Sequence, residues 1–539
     1  MKRDSLCAVI GASLVWLCAF PTSAADKSYD AIFSICRAEA RVESVGQPPK
    51  LVIEKGMGDG GFPIRTVSAE AQQWFNYGLK LFHAFYHEDT KRAFDKAVAA
   101  DARCAMCLWG QAMSRGPMLN YNAEEPDFKA GLEIAIRAQR LATTPREKLL
   151  TAALVERYSR PQDAAAERDF ATDLIKAEKA GPSANDLLLI ASEVLLTSER
   201  RKGESASEAA MALLEPILRR NPRNTAAIHY YIHATEMSGK PALALAYAEQ
   251  LPNLAPNASH LVHMAAHTYF GVGRFEDAAI VNAMAMRVDA EHMTQTRMPG
   301  PLAAAFYYGH NLSFGMAGAL MSGDSKLALK LADHLHRAYP VKAFAQDGMS
   351  DDEGRRMTIY ARFDPRQMLS LPEPSAENPL TRELYHYARG EAYATLRDPS
   401  GLAAEIQRIE GKEKLPKIGR EVLVGRLAMI QGRYADAAQA FEKAASWQET
   451  LLSKGMDPPD WWYPIRRSQA AALIRAGHFA EAQEVVEQGL SKWRDDPLAL
   501  TVLSESQRAQ GKSAEARRNT AKAIGLWEGR ISEVDFNTI

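Results

Sequence analysis

The stretch "GRFEDAAIVNAMA", residues 273–285, decides the reading of this chain. It returns in altered form as "GRYADAAQAFEKA" at 432–444 and "AGHFAEAQEVVEQG" at 476–489. Each copy opens on a glycine-containing turn, with an aromatic residue close behind it. An acidic residue and alanine follow, then apolar residues at helical spacing. Glycine tolerates the left-handed backbone that reverses a chain between helices. Apolar residues three and four apart share one helix face. Each copy therefore predicts a turn leading into the second helix of a hairpin. Such a hairpin cannot bury its apolar face alone, so neighbouring copies must stack into a solenoid.

The pattern resembles the tetratricopeptide repeat (TPR), a 34-residue helical hairpin with small or aromatic residues at positions 4, 7, 8, 11, 20, 24, 27 and 32. In a first unit Trp74, Gly78, Leu81, Phe94, Ala97 and Ala102 fall at positions 4, 8, 11, 24, 27 and 32. In a unit starting at 225, Ile232, Ala244, Ala248, Leu251 and Pro256 fall at 8, 20, 24, 27 and 32. In the next, starting at 259, Ala266, Tyr269, Ala278 and Ala285 fall at 8, 11, 20 and 27. Later units begin near 309, 418, 463 and 497, and weaker hairpins fill 145–222 and 380–412. The expected fold is all-α, a TPR-like helical-hairpin solenoid in two lobes. The lobes span 69–340 and 381–530, after an N-terminal loop segment at 26–68. Between them, 341–380 carries "SLPEPSAENP", whose prolines exclude regular helix, and is expected to be an irregular joint.

The chain has 539 residues, 47% hydrophobic and 24% charged, with a formal net charge of -1. That balance gives no electrostatic reason to bind nucleic acid. Lys2 and Arg3, the apolar run "LCAVIGASLVWLCAF" and the small residues of "PTSAAD" read as an export signal over 1–25. The run is short of the about 20 residues that span a membrane, so no stable insertion is expected after cleavage. The mature protein is expected in the periplasm or outside the cell.

A narrower resemblance rests on "AQQWFNYGLKLFHAFYHEDTKRAFDKAVAADARCAMCLWGQAM", "HLVHMAAHTYFGVGRFEDA", "YYGHNLSF", "LYHYARGEAYA" and "WWYPIRRSQAAALIRAG". These look like a group of exported bacterial TPR proteins, some of which carry a fused c-type cytochrome domain. This chain departs from the latter, because "CAMC" is followed by Leu108 and there is no C-x-x-C-H haem motif. The resemblance implies fold and export but no particular chemistry.

The histidines carry the chemistry. "HYYIHATE" (229–236) and "HLVHMAAH" (260–267) hold five of the chain's 13, and His310 follows in "YYGHN". In the repeat register His229, His233 and Glu236 fall at positions 5, 9 and 12. His260, His263 and His267 fall at 2, 5 and 9, and His310 at 2. In TPR proteins these positions line the concave groove, so the register predicts seven groups on one wall across three neighbouring units. Imidazole is a common ligand because it loses its proton near neutral pH, and histidines at i and i+4 share one face. A transition metal ion is therefore expected there, with zinc, copper and iron all compatible with the donors. Glu236 is the candidate proton carrier if the site is catalytic.

Two further constellations stand out. Cys104 and Cys107 fall on the groove side and could bind a soft metal, form a disulfide or exchange thiols; alternatively one pairs with Cys36. Trp461, Trp462, Arg466 and Arg467 could grip an anionic or peptide ligand, or simply pack the solenoid. His83 and His87 would close or cap one end of the groove, whereas His292, His334, His336, His386 and His478 read as structural. No H-E-x-x-H, G-x-S-x-G or nucleotide-binding P-loop occurs. Three functions remain open: an exported scaffold with a groove metal that binds a protein, peptide or small ligand; a metal-dependent hydrolase or oxidoreductase on the same residues; and a metal-free peptide adaptor. Segment 26–68, with "GMGDGG", could fold back over the concave wall.

Overall fold

The computed structural model describes residues 50–181, 184–202, 205–296, 307–339, 350–375, 377–452 and 457–539. The leader-like residues 1–25 and Cys36 lie outside them. Among the described residues the only β pairing is a bridge between Met118 and Tyr121. Everything else regular is helical. The first hairpins are α1 (Ala69–His83) with α2 (His87–Ala100), α3 (Ala105–Met113) with α4 (Glu125–Leu141), α5 (Pro145–Ser159) with α6 (Ala164–Lys179), and α7 (Asn185–Lys202) with α8 (Ser207–Arg220). Next come α9 (Thr225–Met237), whose partner is broken into short turns over 241–254, then α10 (Ser259–Gly271) with α11 (Phe275–Thr296), and α12 (Tyr308–Ser322) with α13 (Ser325–Ala338). Beyond α14 (Ser350–Phe363) lie α15 (Pro379–Thr395) with α16 (Pro399–Gln407), α17 (Lys414–Ile430) with α18 (Tyr434–Leu451), α19 (Arg466–Ala476) with α20 (Phe479–Lys492), and α21 (Pro497–Ala509) with α22 (Ser513–Leu526). Each hairpin packs on the next, which is a TPR-like solenoid.

The small positions of the repeat explain the close helix pairing. A side chain on Gly78 would meet the Phe94 ring at 2.8 Å, and one on Gly110 would meet the same ring at 2.3 Å. One aromatic at position 24 thus wedges between two consecutive first helices, and only glycine leaves room on both sides. Gly425 and Phe441 repeat the arrangement at 2.6 Å in a later unit.

Two differences from the sequence reading matter. The stretch 341–380 is not irregular throughout: α14 occupies Ser350–Phe363 and packs against α12, α13 and α15. The prolines all lie beyond Asp364, and "SDDEGRRMTIYARF" has none and starts with three acidic residues, which favour a helix N-terminus. The described part of the leading segment, 50–68, runs along helix ends and not over the histidines. Asp59 bonds Thr225 at the start of α9, Gly61 N–H donates to Asp186 at 2.8 Å in the first turn of α7, and the Asn257 N–H just before α10 donates to Gly56 O at 3.1 Å. Gly58, at φ +88°, passes so close that a side chain would meet Thr225 Oγ1 at 2.7 Å. That contact accounts for the glycines of "GMGDGG".

The solenoid curls so that its lobes touch. The Gly273 turn abuts the Arg494–Asp495 backbone, and Phe270 lies 6.2 Å from Trp493, ring to ring. This curl carries residues 457–465 toward the histidine-bearing helices. Among the described residues no helix is long and apolar enough to cross a membrane.

Candidate metal centre

Helices α9, α10 and α12 supply the histidines. Asn224 caps α9, its side chain accepting from Ala227 N–H at 2.8 Å. Residues Thr225–Thr235 of α9 and Ser259–Phe270 of α10 are all buried, so both helices are enclosed on every side. Alanines 226, 227, 234, 265 and 266 let their neighbours approach closely, and the histidines are the main ionisable groups left inside. His229, His233, His260, His263 and His267 are 0–3% exposed, whereas the His310 side chain keeps 30%.

The rings converge in two groups. In the first, His229, His233 and His260 offer ring nitrogens that all lie within 4.8 Å of one another. In the second, His263 Nε2 is 2.9 Å from His267 Nε2 and 3.2 Å from His310 Nε2. Asp457 completes the second group. Its Oδ1 lies 3.5 Å from His267 Nε2 and 3.3 Å from His310 Nε2, at ion-pair distance but without hydrogen-bond alignment to either. Arg200 Nη2 faces the other Asp457 oxygen at 3.5 Å and is itself tied to Asn120 at 2.9 Å.

Outer contacts fix the tautomers. Asn282 Nδ2 donates to Ala278 O at 2.7 Å, which turns Asn282 Oδ1 toward His263 Nδ1 at 2.6 Å. An amide oxygen only accepts, so the His263 proton sits on Nδ1 and its Nε2 carries a lone pair. Glu236 Oε2 meets His267 Nδ1 at 2.9 Å and has the same effect there. The facing nitrogens at 2.9 Å are joined by a shared proton, and a metal ion would take that proton's place. Ligands about 2.0–2.1 Å from a tetrahedral ion stand about 3.3 Å apart, close to the spacings of this set. Three imidazoles and a carboxylate, two of the rings held from behind by an amide and a carboxylate, have the donors and outer support of a metal centre.

Burial, reinforced by neighbouring imidazoles, pushes His233, His260 and His263 well below the ordinary histidine value and His229 down to about 3. These rings are neutral at pH 7, which is the ligating form. Burial acts on His267 in the same sense, but Glu236 and Asp457 outweigh it and raise it to about 8. For Asp457, burial is outweighed by His267 and His310, which hold the carboxyl well below its usual range.

Several sequence assignments change. Glu236 is not a ligand: it grips the far side of the His267 ring and positions it. Cys104 and Cys107 are bonded to each other, with Cα atoms 5.2 Å apart, at the buried N-terminus of α3. The alternative pairing with Cys36 therefore gives way, and neither thiol is available to a soft metal in this state. Trp461 and Trp462 are buried and stacked at 4.7 Å against each other, with Tyr387 beside them. Arg467 is buried on Asp496 at 3.0 Å, and Arg466 pairs with Glu449 at 2.7 Å. The four pack the solenoid rather than present a ligand surface. His83 bonds Tyr230 at 3.0 Å and Asp186 at 3.2 Å while its backbone oxygen accepts from His229 Nδ1 at 2.7 Å, so it buttresses the cluster. His87 is buried nearby, its ring 5.7 Å from that of Phe85.

Asp457, Asn282, Phe85 and Tyr307 were not singled out in the sequence. Phe85 adopts φ +58°, rare for a bulky residue, and its ring lies 4.5 Å from His229 and 4.9 Å from His260. The Tyr307 ring lies 4.3 Å from that of His260. The His229 and His260 side of the wall is thus covered by the chain itself, whereas His310 and Asp457 stay partly exposed.

Fold and site together define a TPR-like helical solenoid with an internal histidine cluster. No family model matches the chain and no curated protein matches it. Among solved structures it is similar to the yeast Tom70 crystal structure at 12% identity over 85% of this chain and 92% of that one, with a TM-score of 0.30. It is similar to the P58(IPK) TPR domain at 12% identity over 83% and 99%, TM-score 0.22. A monomeric mutant of IFIT1 matches at 13% identity over 78% and 90%, TM-score 0.32.

Proposed function

We propose that this chain is an exported helical-repeat scaffold in which His263, His267, His310 and Asp457 hold one divalent transition metal ion, and that the scaffold so fixed serves protein or ligand binding. One observation carries the reading: the ring nitrogens of His263, His267 and His310 converge on one place, with Asn282 and Glu236 holding the outer nitrogens of the first two, so loss of one shared proton leaves three donors aimed together. The four donors come from α10, α12 and the 457 segment, so an ion there would tie three parts of the solenoid together. Three converging imidazoles with Asp457 beside them suit holding an ion, and closure of the fourth position by Asp457 would favour holding over turnover, which needs an open coordination position. A peptide adaptor that uses the histidine wall loses its surface, because that wall is internal; a protein partner would meet the outer faces of the helices. Three nitrogens and one oxygen are acceptable to zinc, copper or iron. The leader-like residues 1–25 and the Cys104–Cys107 bridge support an oxidising compartment, periplasmic or extracellular.

Elemental analysis of protein purified without a polyhistidine tag tests this. About one equivalent of transition metal is expected, falling to less than about a tenth in Asp457→Ala with the helical circular dichroism retained. Metal-free protein whose melting temperature ignores added Zn²⁺ overturns it.

A further inference from the structure

We propose that His229, His233 and His260 form a second metal site, without a carboxylate of its own, that takes a monovalent cation, Cu(I), beside the divalent site. This rests on the reading of the cluster as a metal centre. The donors are placed for a shared ion. His229 Nε2 and His260 Nε2 stand 3.1 Å apart, and one nitrogen from each of the three rings lies within 4.8 Å of the others. His229 Nδ1 must donate to His83 O, because a carbonyl only accepts, so His229 Nε2 carries a lone pair. A proton on His260 Nε2 could bridge that single pair. It would leave His233 Nε2 without a partner in the interior, and it is unpaired. An unpaired buried nitrogen of this kind is costly unless something occupies the space it faces.

Charge distinguishes the two sites. The second group has Asp457 at its ligand face and Glu236 behind His267, two carboxylates to set against a divalent ion. Among the described residues no carboxylate makes a hydrogen bond or ion pair with His229, His233 or His260. Their surroundings are the rings of Phe85, Tyr230 and Tyr307 and the His83 backbone oxygen. Asp186 stands one residue removed, bonded to His83. The energy of burying an ion rises with the square of its charge, so a divalent ion here would cost about four times as much as a monovalent one, with only the more distant Asp457, already committed to the other group, to offset it. Imidazole donors accept both zinc and copper, so charge rather than donor type selects the ion. Cu(I) is content with three nitrogens in a plane. The wedged Phe85 ring and Tyr307 leave the flanks of the triad apolar, where a fourth ligand would otherwise come.

The test uses full-length protein already loaded with one equivalent of Zn²⁺. Under anaerobic conditions it competes with a chromogenic Cu(I) chelator, and the fall in the chelate's absorbance counts the Cu(I) withdrawn. Wild type should withdraw about one equivalent, and His229→Ala and His260→Ala less than about a tenth while keeping their zinc. His233→Gln, the milder change, should weaken Cu(I) about 10-fold or more with the zinc untouched. Asp457→Ala should lose zinc and still withdraw Cu(I), so the two sites fail separately. Three results overturn the proposal: no Cu(I) withdrawn by wild type, equal withdrawal by the histidine variants, or a second zinc equivalent in wild type that disappears in His260→Ala.

Discussion

Around His263 in the N-terminal lobe, ring nitrogens converge with their outer nitrogens held by Asn282 and Glu236; around Arg467 in the C-terminal lobe, the guanidinium lies on both oxygens of Asp496 at 3.0 and 3.2 Å. Both regions are buried, aromatic and rich in ionisable groups. What they leave unpaired differs. In the C-terminal cluster it is Trp461 Nε1, Trp462 Nε1 and Arg467 Nε, all N–H donors that cannot hold a cation. In the histidine cluster it is lone-pair nitrogens and a carboxylate oxygen, which can. Density of chemically able residues does not mark a site. Unpaired acceptors that point at one place do.

The comparison can be broken or sharpened by substitution. The largest effect is expected at Trp462→Ala, which empties a fully buried indole and should cost about 3–5 kcal/mol in denaturant unfolding, with metal per folded molecule unchanged. Metal loss from that variant without loss of stability would erase the distinction between the regions. His263→Ala removes a donor, and should weaken Zn²⁺ by roughly a thousand-fold in chelator competition while the helical circular dichroism persists. Glu236→Gln leaves the donors in place but weakens the support of His267. A drop of about 10–100-fold in affinity is expected, and a drop as large as that of His263→Ala would make Glu236 a ligand after all.

The smallest effect concerns a histidine outside the cluster. His292 lies 3.1 Å from Asp89 and 3.5 Å from Glu54, which ties the leading segment and α2 to α11. Burial alone would lower it, but the two carboxylates raise it to about 9. A folded-state value above the unfolded 6.5 adds stability that is full below about pH 6.5 and disappears as the pH rises through about 9. That contribution is on the order of 2 kcal/mol. Unfolding free energies should therefore decline across pH 6.5–9 in wild type, and the decline should be shallower in His292→Gln.

The sequence already placed all six clustering histidines, five through the 34-residue step between 225 and 259 with spacings of three and four, and His310 through the unit starting at 309. It could not supply Asp457, which belongs to a loop between repeats and reaches His310 only because the solenoid curls. Glu236 has the expected register but acts as a support instead of a ligand. Position along a helix gives the face, not which side of a neighbouring ring the carboxylate meets. Whether the groove is open or filled was left undecided, although "AAIHYYIHAT" and "LVHMAAHTYF" carried a signal. Apart from histidine, tyrosine and threonine these runs are apolar on every side, and a helix apolar all round is an interior helix. Trp461 to Arg467 show the converse limit, since composition does not reveal that Asp496 and Glu449 wait for the arginines.

The most direct measurement is anomalous diffraction, at the absorption edge of the metal found by elemental analysis, from crystals of untagged protein. The account predicts a peak bonded to His263 Nε2, His267 Nε2, His310 Nε2 and an Asp457 oxygen, at about 2.0–2.2 Å from each. A peak ligated by Glu236 instead, or no peak in a well-ordered cluster whose imidazoles have turned apart to hydrogen-bond elsewhere, would contradict it.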